Sequence, residues 1–252
     1  MDQETVRIER NGRIQWVHFS RPDRLNVFGV QMGADLLKAL EDGERSAEIL
    51  CLVLTGEGEA FCAGEDLDVG GSAAKGGRPM LLGEALSREY NSVVQRIKRM
   101  GKPVVAAANG VTAGIGLGLA MACDLRAASE RATFREALVD TSHASSSWAG
   151  FWLPRILGPG KAMEVGAARK PIEARAALSL GLVDRVFPGE GFFREVVNIA
   201  GRLAERPAAT LALTKRTLNR AVAVGPASAL EYEVYLRALA GMAQDARTRE
   251  GN

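Results

Sequence analysis

The sequence predicts an α/β fold, and three observations carry that reading. Two continuously apolar runs, Ile49 to Leu54 and Val104 to Ala108, each end at a turn pair, Thr55-Gly56 and Asn109-Gly110. A strand covered on both faces reads this way, without polar alternation. Around these runs the apolar spacing becomes helical, and strands alternating with helices are the pattern of a sheet packed under helices.

The elements follow in order. Alternation in Val6 to Glu9 and Ile14 to Ser20, broken by Asn11-Gly12, predicts a two-stranded hairpin. Val30 to Leu40 sets Met32, Leu36, Leu37 and Leu40 on one helical face. The glycine-rich stretch 70–77 predicts a surface loop, and a helix follows from about Met80 to Met100. A further βα unit runs from Leu125 through Phe134 and Leu138, and Leu182 to Phe187 supplies a short strand. After Pro188 the pattern is helical, over Phe192 to Ala204, Pro207 to Val224 and Ala227 to Ala246. A boundary near residue 190 therefore divides a core, 1–190, from a helical region, 191–252.

With 252 residues and 47% hydrophobic content, the chain can bury a sizeable core. A net charge of +2 gives no bulk attraction to nucleic acid or to an anionic membrane, and leaves a phosphate-bearing small molecule open. The three cysteines, Cys51, Cys62 and Cys123, read as reduced, buried thiols of a cytoplasmic protein. Two histidines without metal-ligand spacing predict no metal. Residues 1–16 carry charges and no apolar run, so no secretory signal is expected. No apolar run reaches the roughly 20 residues that span a bilayer.

The chemistry concentrates in two glycine-bearing turns, Phe61 to Leu67 and Asn109 to Gly118, each following an apolar strand. A turn that opens into a helix leaves backbone N–H groups without intrahelical acceptors, and the helix dipole adds positive potential. Two such turns facing each other would form an oxyanion hole for the enolate or tetrahedral oxygen of a thioester. The alternative is that the glycines only permit tight helix packing. A dinucleotide fingerprint fits poorly, because after Gly114 and Gly116 the third glycine falls at Gly118.

Five stretches in this order, Arg21 to Asn26, Leu52 to Gly56, Phe61 to Leu67, Lys102 to Gly110 and Ala120 to Arg126, resemble successive blocks of the enoyl-CoA hydratase/isomerase family, the crotonase superfamily. Leu153 to Gly158, Ala174 to Pro188 and Pro207 to Asn219 resemble its later blocks, so the likeness covers nearly the whole chain. It implies a crotonase-like spiral of ββα units, with C-terminal helices that mediate a homotrimer or a dimer of trimers. It implies an acyl-CoA substrate, with coenzyme A as part of that substrate and no permanently bound cofactor. The implied oxyanion donors are the backbone N–H groups of Glu65 and Ile115. Asp23, Arg24, Leu25, Ala63, Asp66 and Leu67 would hold coenzyme A, and Lys215 either reaches coenzyme A phosphates, from its own or a neighbouring subunit, or is a solvated helix charge.

The chain departs from the family's pattern where a hydratase carries its two glutamates. Those positions hold Gly118 and Leu138, so hydration by a glutamate pair is not expected. Where isomerases and dehalogenases of the family often carry an acidic residue, this chain has Ser146. Asp140, two residues beyond Leu138 on the same face of an extended segment, is the first candidate base, or else a surface or capping residue. His143 and Ser146 form either a base–nucleophile pair or a loop residue and a helix cap. Glu84 and Tyr90, on the preceding helix, are further acid–base candidates, and the side chains of Glu65 and Asp68 read as surface groups. His18 reads as structural. Gly114, Leu138 and Trp148 would line the acyl pocket, with Trp148 in place of a small residue.

The leading expectation is thioester-enolate chemistry, with isomerisation suiting a single base. Hydrolysis of a thioester or of a β-keto C–C bond, and acyl-CoA binding without turnover, are the alternatives.

Overall fold

In the computed structural model of the chain, the N-terminal hairpin is formed by β1 (Val6–Asn11) and β2 (Ile14–Phe19), antiparallel, with Gly12 at φ +56° in the turn. The structure describes residues 5–66, 79–136, 149–167 and 170–250. Helix α1 (Val30–Arg45) and α2 (Pro79–Arg99) pack on one another. The apolar runs form β3 (Cys51–Gly56) and β5 (Val104–Ala108). With β7 (Leu125–Ser129) and β10 (Arg185–Phe187) they extend the hairpin into a six-stranded sheet, ordered β1-β2-β3-β5-β7-β10 and parallel from β2 onward.

Each of β3, β5 and β7 is followed by a three-residue strand that belongs to a second sheet. These are β4 (Ala60–Cys62), β6 (Val111–Ala113) and β8 (Thr133–Arg135), joined antiparallel by β9 (Ile172–Glu173) in the order β4-β6-β8-β9. Helix α3 (Ile115–Ala122) leaves β6, and α4 (Ala149–Leu157), α5 (Pro159–Ala167) and α6 (Ala174–Leu180) follow β8. Repeated strand pairs and helices make the spiral of ββα units that the sequence resemblance implies. Strands this short show no readable period, so only their neighbours were legible in sequence.

Alternate residues of the large sheet feed two cores, as the period of a strand requires. Leu52, Leu54, Val104 and Ala106 enter the main core with α1, α2 and α3. Cys51, Val53, Val105 and Ala107 face the other way, under α7 (Phe192–Ala204). This double burial is why both strands read as unbroken apolar runs. Because Phe192, Val196 and Ala200 of α7 close the second core, packing continues past residue 190 to the end of that helix. The strand expected over Leu182 to Phe187 is confined to Arg185–Phe187, since Leu182 and Val183 turn inward after α6.

Helix α8 (Ala208–Ala221) is fastened by a buried charge. Lys215 Nζ lies 2.7 Å from Asp124 Oδ2 and donates to the Lys102 carbonyl at 3.0 Å, and its side chain is 7% exposed. Asp124 Oδ2 also accepts the Val104 N–H at 2.8 Å, so one carboxylate joins β5, the end of α3 and α8. The sequence expectation that Lys215 meets a phosphate, or water, is corrected here: both of its contacts are internal. Helix α9 (Pro226–Glu250) packs on α8 and leaves Leu230, Val234 and Tyr235 exposed. Among the described residues no helix is long and apolar enough to cross a membrane.

His18 stacks on Trp16, with ring centroids 5.9 Å apart, and its buried Nε2 lies 3.6 Å from a Glu9 carboxylate oxygen without a hydrogen bond. Burial lowers its pKa below the ordinary 6.5, the Arg7 charge adding to the effect against Glu9 and Glu57. The unfolded chain therefore takes up this proton first as pH falls, and stability drains away from about pH 6.5 downward.

Two outcomes follow from this packing. Lys215→Ala strands the Asp124 carboxylate and lowers unfolding stability by about 3 kcal/mol in urea titration, while coenzyme A affinity stays at the wild-type value. His18→Gln flattens the fall in urea midpoint between neutral pH and pH 5, and equal slopes in variant and wild type would contradict the buried neutral imidazole.

Candidate functional site

The first glycine turn is built against the segment 21–28. Leu25 and Asn26 both sit in the left-handed region, at φ +51° and +55°, a costly pair for residues with side chains. The fully buried Asn26 side chain holds them there. Its Oδ1 accepts the Arg21 N–H at 2.8 Å, and its Nδ2 donates to the carbonyls of Glu57 at 2.9 Å and Ala60 at 2.8 Å. The contorted segment then pairs with the strand end: Ala63 N–H donates to Leu25 O, Phe28 N–H to Gly64 O and Asp66 N–H to Phe28 O. In this parallel bridge between Phe28 and Glu65, the peptide N–H of Glu65 is directed away from Phe28.

Asp66 locks the same turn electrostatically. Its carboxylate, 3% exposed, lies 2.8 Å from the Arg21 guanidinium and 3.7 Å from that of Arg24. Arg24, Leu25, Ala63 and Asp66, drawn from two separate sequence blocks, are thus gathered at one edge, together with Asp23 in the 3-10 turn Pro22–Arg24. Leu67 lies outside the described residues.

The second turn is Gly114. It adopts φ +50° and ψ −119°, a conformation that side chains disfavour, and its N–H donates to the Arg135 carbonyl of β8 at 3.1 Å. Helix α3 starts at Ile115 with no side-chain cap, and all eight of its residues are buried. Its first-turn N–H groups have no acceptor within the helix, and the helix dipole concentrates positive potential there. The close approach that sets this helix down is at Gly116, where an added Cβ would stand 2.1 Å from the Cys62 carbonyl oxygen.

The two turns meet. A Cβ built on Gly114 lies 3.8 Å from the Gly64 Cα, and one built on Gly64 lies 3.8 Å from the Ala113 carbonyl oxygen. Gly114 therefore stands against the turn that carries Glu65. Gly116 serves tight packing, and that packing seats the start of α3 beside the Gly64 turn.

The surrounding side chains are sorted by burial. Burial pushes the Cys62 and Cys123 thiols up to about 12, so neither is a thiolate nucleophile at neutral pH. Tyr90, fully buried on α2 and edge-on to Phe28, is held well above the ordinary phenol value chiefly by burial, with smaller electrostatic contributions from its surroundings. Its hydroxyl keeps its proton. Sequence reasoning missed Glu136, a carboxylate only 3% exposed just beyond β8. Its one legible sign was the spacing Phe134-Arg-Glu136, which places a charge on the strand face of a buried phenylalanine. The Glu65 side chain is exposed, as expected. Leu138, Asp140, His143, Ser146 and Trp148 lie outside the described residues, as does the side chain of Glu84.

Comparison with known proteins agrees with this architecture. The family model described as enoyl-CoA hydratase/isomerase matches residues 9–251. A 1,2-epoxyphenylacetyl-CoA isomerase of Escherichia coli is 34% identical, over 90% of this chain and 87% of that protein. A 4-chlorobenzoyl coenzyme A dehalogenase of an Arthrobacter species is also 34% identical, over 91% of this chain and 83% of its own length. The crystal structure of an enoyl-CoA hydratase from Thermoplasma volcanium superposes with a TM-score of 0.86 at 29% identity, covering 98% of this chain and 97% of that one. With the spiral, the paired turns and relatives aligned along almost its full length, this chain belongs to the enoyl-CoA hydratase/isomerase family, the crotonase superfamily.

Proposed function

We propose that this protein binds an acyl-CoA thioester and stabilises its enolate between the peptide N–H groups of Glu65 and Ile115. The observation that carries the reading is the contact of the two turns at Gly64 and Gly114. A thioester oxygen set between them would gain negative charge as the α-proton leaves, where fixed dipoles and a helix N-terminus favour it most. Coenzyme A would lie along the edge formed by Asp23, Arg24, Leu25, Ala63 and Asp66, continuing toward Leu67. Lys215, committed to Asp124 and the Lys102 carbonyl, has no part in that contact.

Single-base isomerisation suits the chain better than hydration. Concerted addition of water uses two carboxylates, and the positions that the family resemblance assigns to them hold Gly118 and Leu138. One proton carrier suffices to take a proton from C2 and return it to C4. Sequence draws that carrier from Asp140, His143 or Ser146. Two of the relatives are named for aromatic acyl thioesters, phenylacetyl and chlorobenzoyl, which favours a ring-bearing acyl group beside Trp148. The exposed Leu218, Leu230, Val234 and Tyr235 on α8 and α9, with Val222 just past the end of α8, suit burial between copies in a homotrimer or a dimer of trimers.

Incubation with crotonyl-CoA, a 3-enoyl-CoA and aromatic enoyl-CoA thioesters, followed by mass-resolved chromatography, tests the reaction class. Double-bond migration with little hydration is expected. Rapid hydration of crotonyl-CoA, or release of free coenzyme A, would contradict it. Gly114→Ala forces a side chain into a disfavoured conformation and turns the Ile115 N–H, so turnover falls ~10²-fold with thioester affinity and fold retained. Wild-type turnover in that variant would remove Ile115 from the hole.

A further inference from the structure

We infer that Asn109 is a positioning residue: its side chain ties together the two corners from which the glycine turns project, and so sets the Glu65 and Ile115 N–H groups relative to one another. The assignment rests on the enolate reading above. Each glycine turn hangs on a strand of only three residues, β4 before Gly64 and β6 before Gly114. Each of those strands leaves the large sheet through a tight corner, residues 57–59 after β3 and Asn109-Gly110 after β5. The β4–β6 ladder shifts register between Ala60 and Cys62, so the ladder alone does not fix how far one strand stands along the other.

The corners supply what the ladder lacks. The Val111 N–H donates to the Glu59 carbonyl at 3.2 Å, and a Cβ on Gly110 would stand 1.9 Å from that same oxygen. Asn109 spans the junction with one side chain. Its Oδ1 accepts the Gly56 N–H at 3.1 Å, with the Thr55 hydroxyl 3.2 Å away, and its Nδ2 donates to the Gly58 carbonyl at 3.0 Å. The same nitrogen stands 3.5 Å from the carbonyl of Ala60, where β4 begins. The fully buried Asn26 grips this corner as well, donating to the carbonyls of Glu57 at 2.9 Å and Ala60 at 2.8 Å. The β3–β4 corner is thus bound by two carboxamides, one from the segment 21–28 and one from the neighbouring β5–β6 corner.

The residue type matters at position 109. A carboxamide carries an acceptor and a donor at one tip, and here the acceptor meets a peptide N–H and the donor a peptide carbonyl. A carboxylate of the same shape keeps the acceptor toward Gly56 and sets a second acceptor against the Gly58 carbonyl. Alanine leaves both corner groups to water. Asn109 is only half-buried, so its loss releases the corner without emptying the core. A corner that shifts carries its short strand, and with it the Gly64 turn, away from Gly114. Misplaced donors stabilise developing charge poorly, so the cost falls on turnover. Thioester affinity, spread along the edge that holds coenzyme A, is little affected.

Two readouts test the assignment: exchange of the α-proton of saturating 3-enoyl-CoA in D2O, and the infrared band of a bound acyl-CoA with a ¹³C-labelled thioester carbonyl. Wild type, Asn109→Ala, Asn109→Asp and Arg96→Ala are compared below their melting temperatures, with thioester affinity measured on each. Arg96 bridges Glu41 at 2.7 Å and Glu44 at 3.0 Å, and Glu44 also accepts the Gly101 N–H ahead of β5, at the opposite end of that strand from Asn109. Its removal loosens the fold away from the corners. We expect Asn109→Ala to lower exchange ~10- to 10²-fold with affinity within a few-fold of wild type, and its carbonyl band to move back toward the solution frequency. Asn109→Asp falls between, and Arg96→Ala matches the wild type. Wild-type exchange in Asn109→Ala overturns the assignment, as does slowed exchange with an unmoved band, or an equal loss in Arg96→Ala. Should Asn109→Ala not fold, the aspartate variant decides: full exchange and an unmoved band in that folded protein also overturn it. A wild-type protein that exchanges nothing and leaves the band at its solution frequency removes the enolate reading itself. Wild-type exchange that no Asn109 variant alters removes this assignment alone.

Discussion

The structure depends on how closely α3 can approach β4. At Gly116 the helix backbone lies so near the Cys62 carbonyl that even a methyl group would stand 2.1 Å from its oxygen. The same device recurs at Gly110, where a Cβ would stand 1.9 Å from the Glu59 carbonyl oxygen. These contacts hold the second ββα unit against the first. Because the strands of the small sheet are three residues long, these contacts reinforce the β3–β5 pairing that joins the two units in the large sheet. The facing of Gly64 and Gly114 is a consequence of that approach. An alternative reading of the glycines as mere packing residues is therefore not opposed to the functional one.

The polar side of the site rests on a second constraint, the left-handed pair Leu25 and Asn26. Their conformation is costly alone and persists because the buried Asn26 amide satisfies three backbone partners, while Asp66 draws in Arg21 and Arg24. Strain in one segment, compensated by buried hydrogen bonds, fixes the backbone of Ala63 to Asp66. Preorganisation of this kind lets a peptide N–H stabilise charge without reorganising as the charge develops.

Long signals in the chain were legible and short ones were not. The apolar runs that became β3 and β5 announced double burial, and the Asn11-Gly12 turn announced the hairpin, because each is a property of neighbouring residues. Three-residue strands such as Thr133–Arg135 offer too few positions to show a period, so the small sheet was invisible. Lys215 was misread for a different reason. Whether an ammonium on a helix meets water or a buried carboxylate depends on Asp124, far away in sequence, and no local pattern reveals it. Glu136 escaped notice likewise, since burial of a charge is a tertiary fact. The glycine turns were seen as anion sites, but their facing one another came only with the fold.

Polarisation of the thioester carbonyl tests the central claim most directly. The infrared difference spectrum of a bound acyl-CoA carrying a ¹³C-labelled thioester carbonyl reports the hydrogen bonds made to that oxygen before any proton moves. The account predicts a shift to lower frequency on binding to the wild-type protein and its loss in Gly114→Ala. A carbonyl band at its solution frequency in the wild-type complex would contradict an oxyanion hole between Glu65 and Ile115.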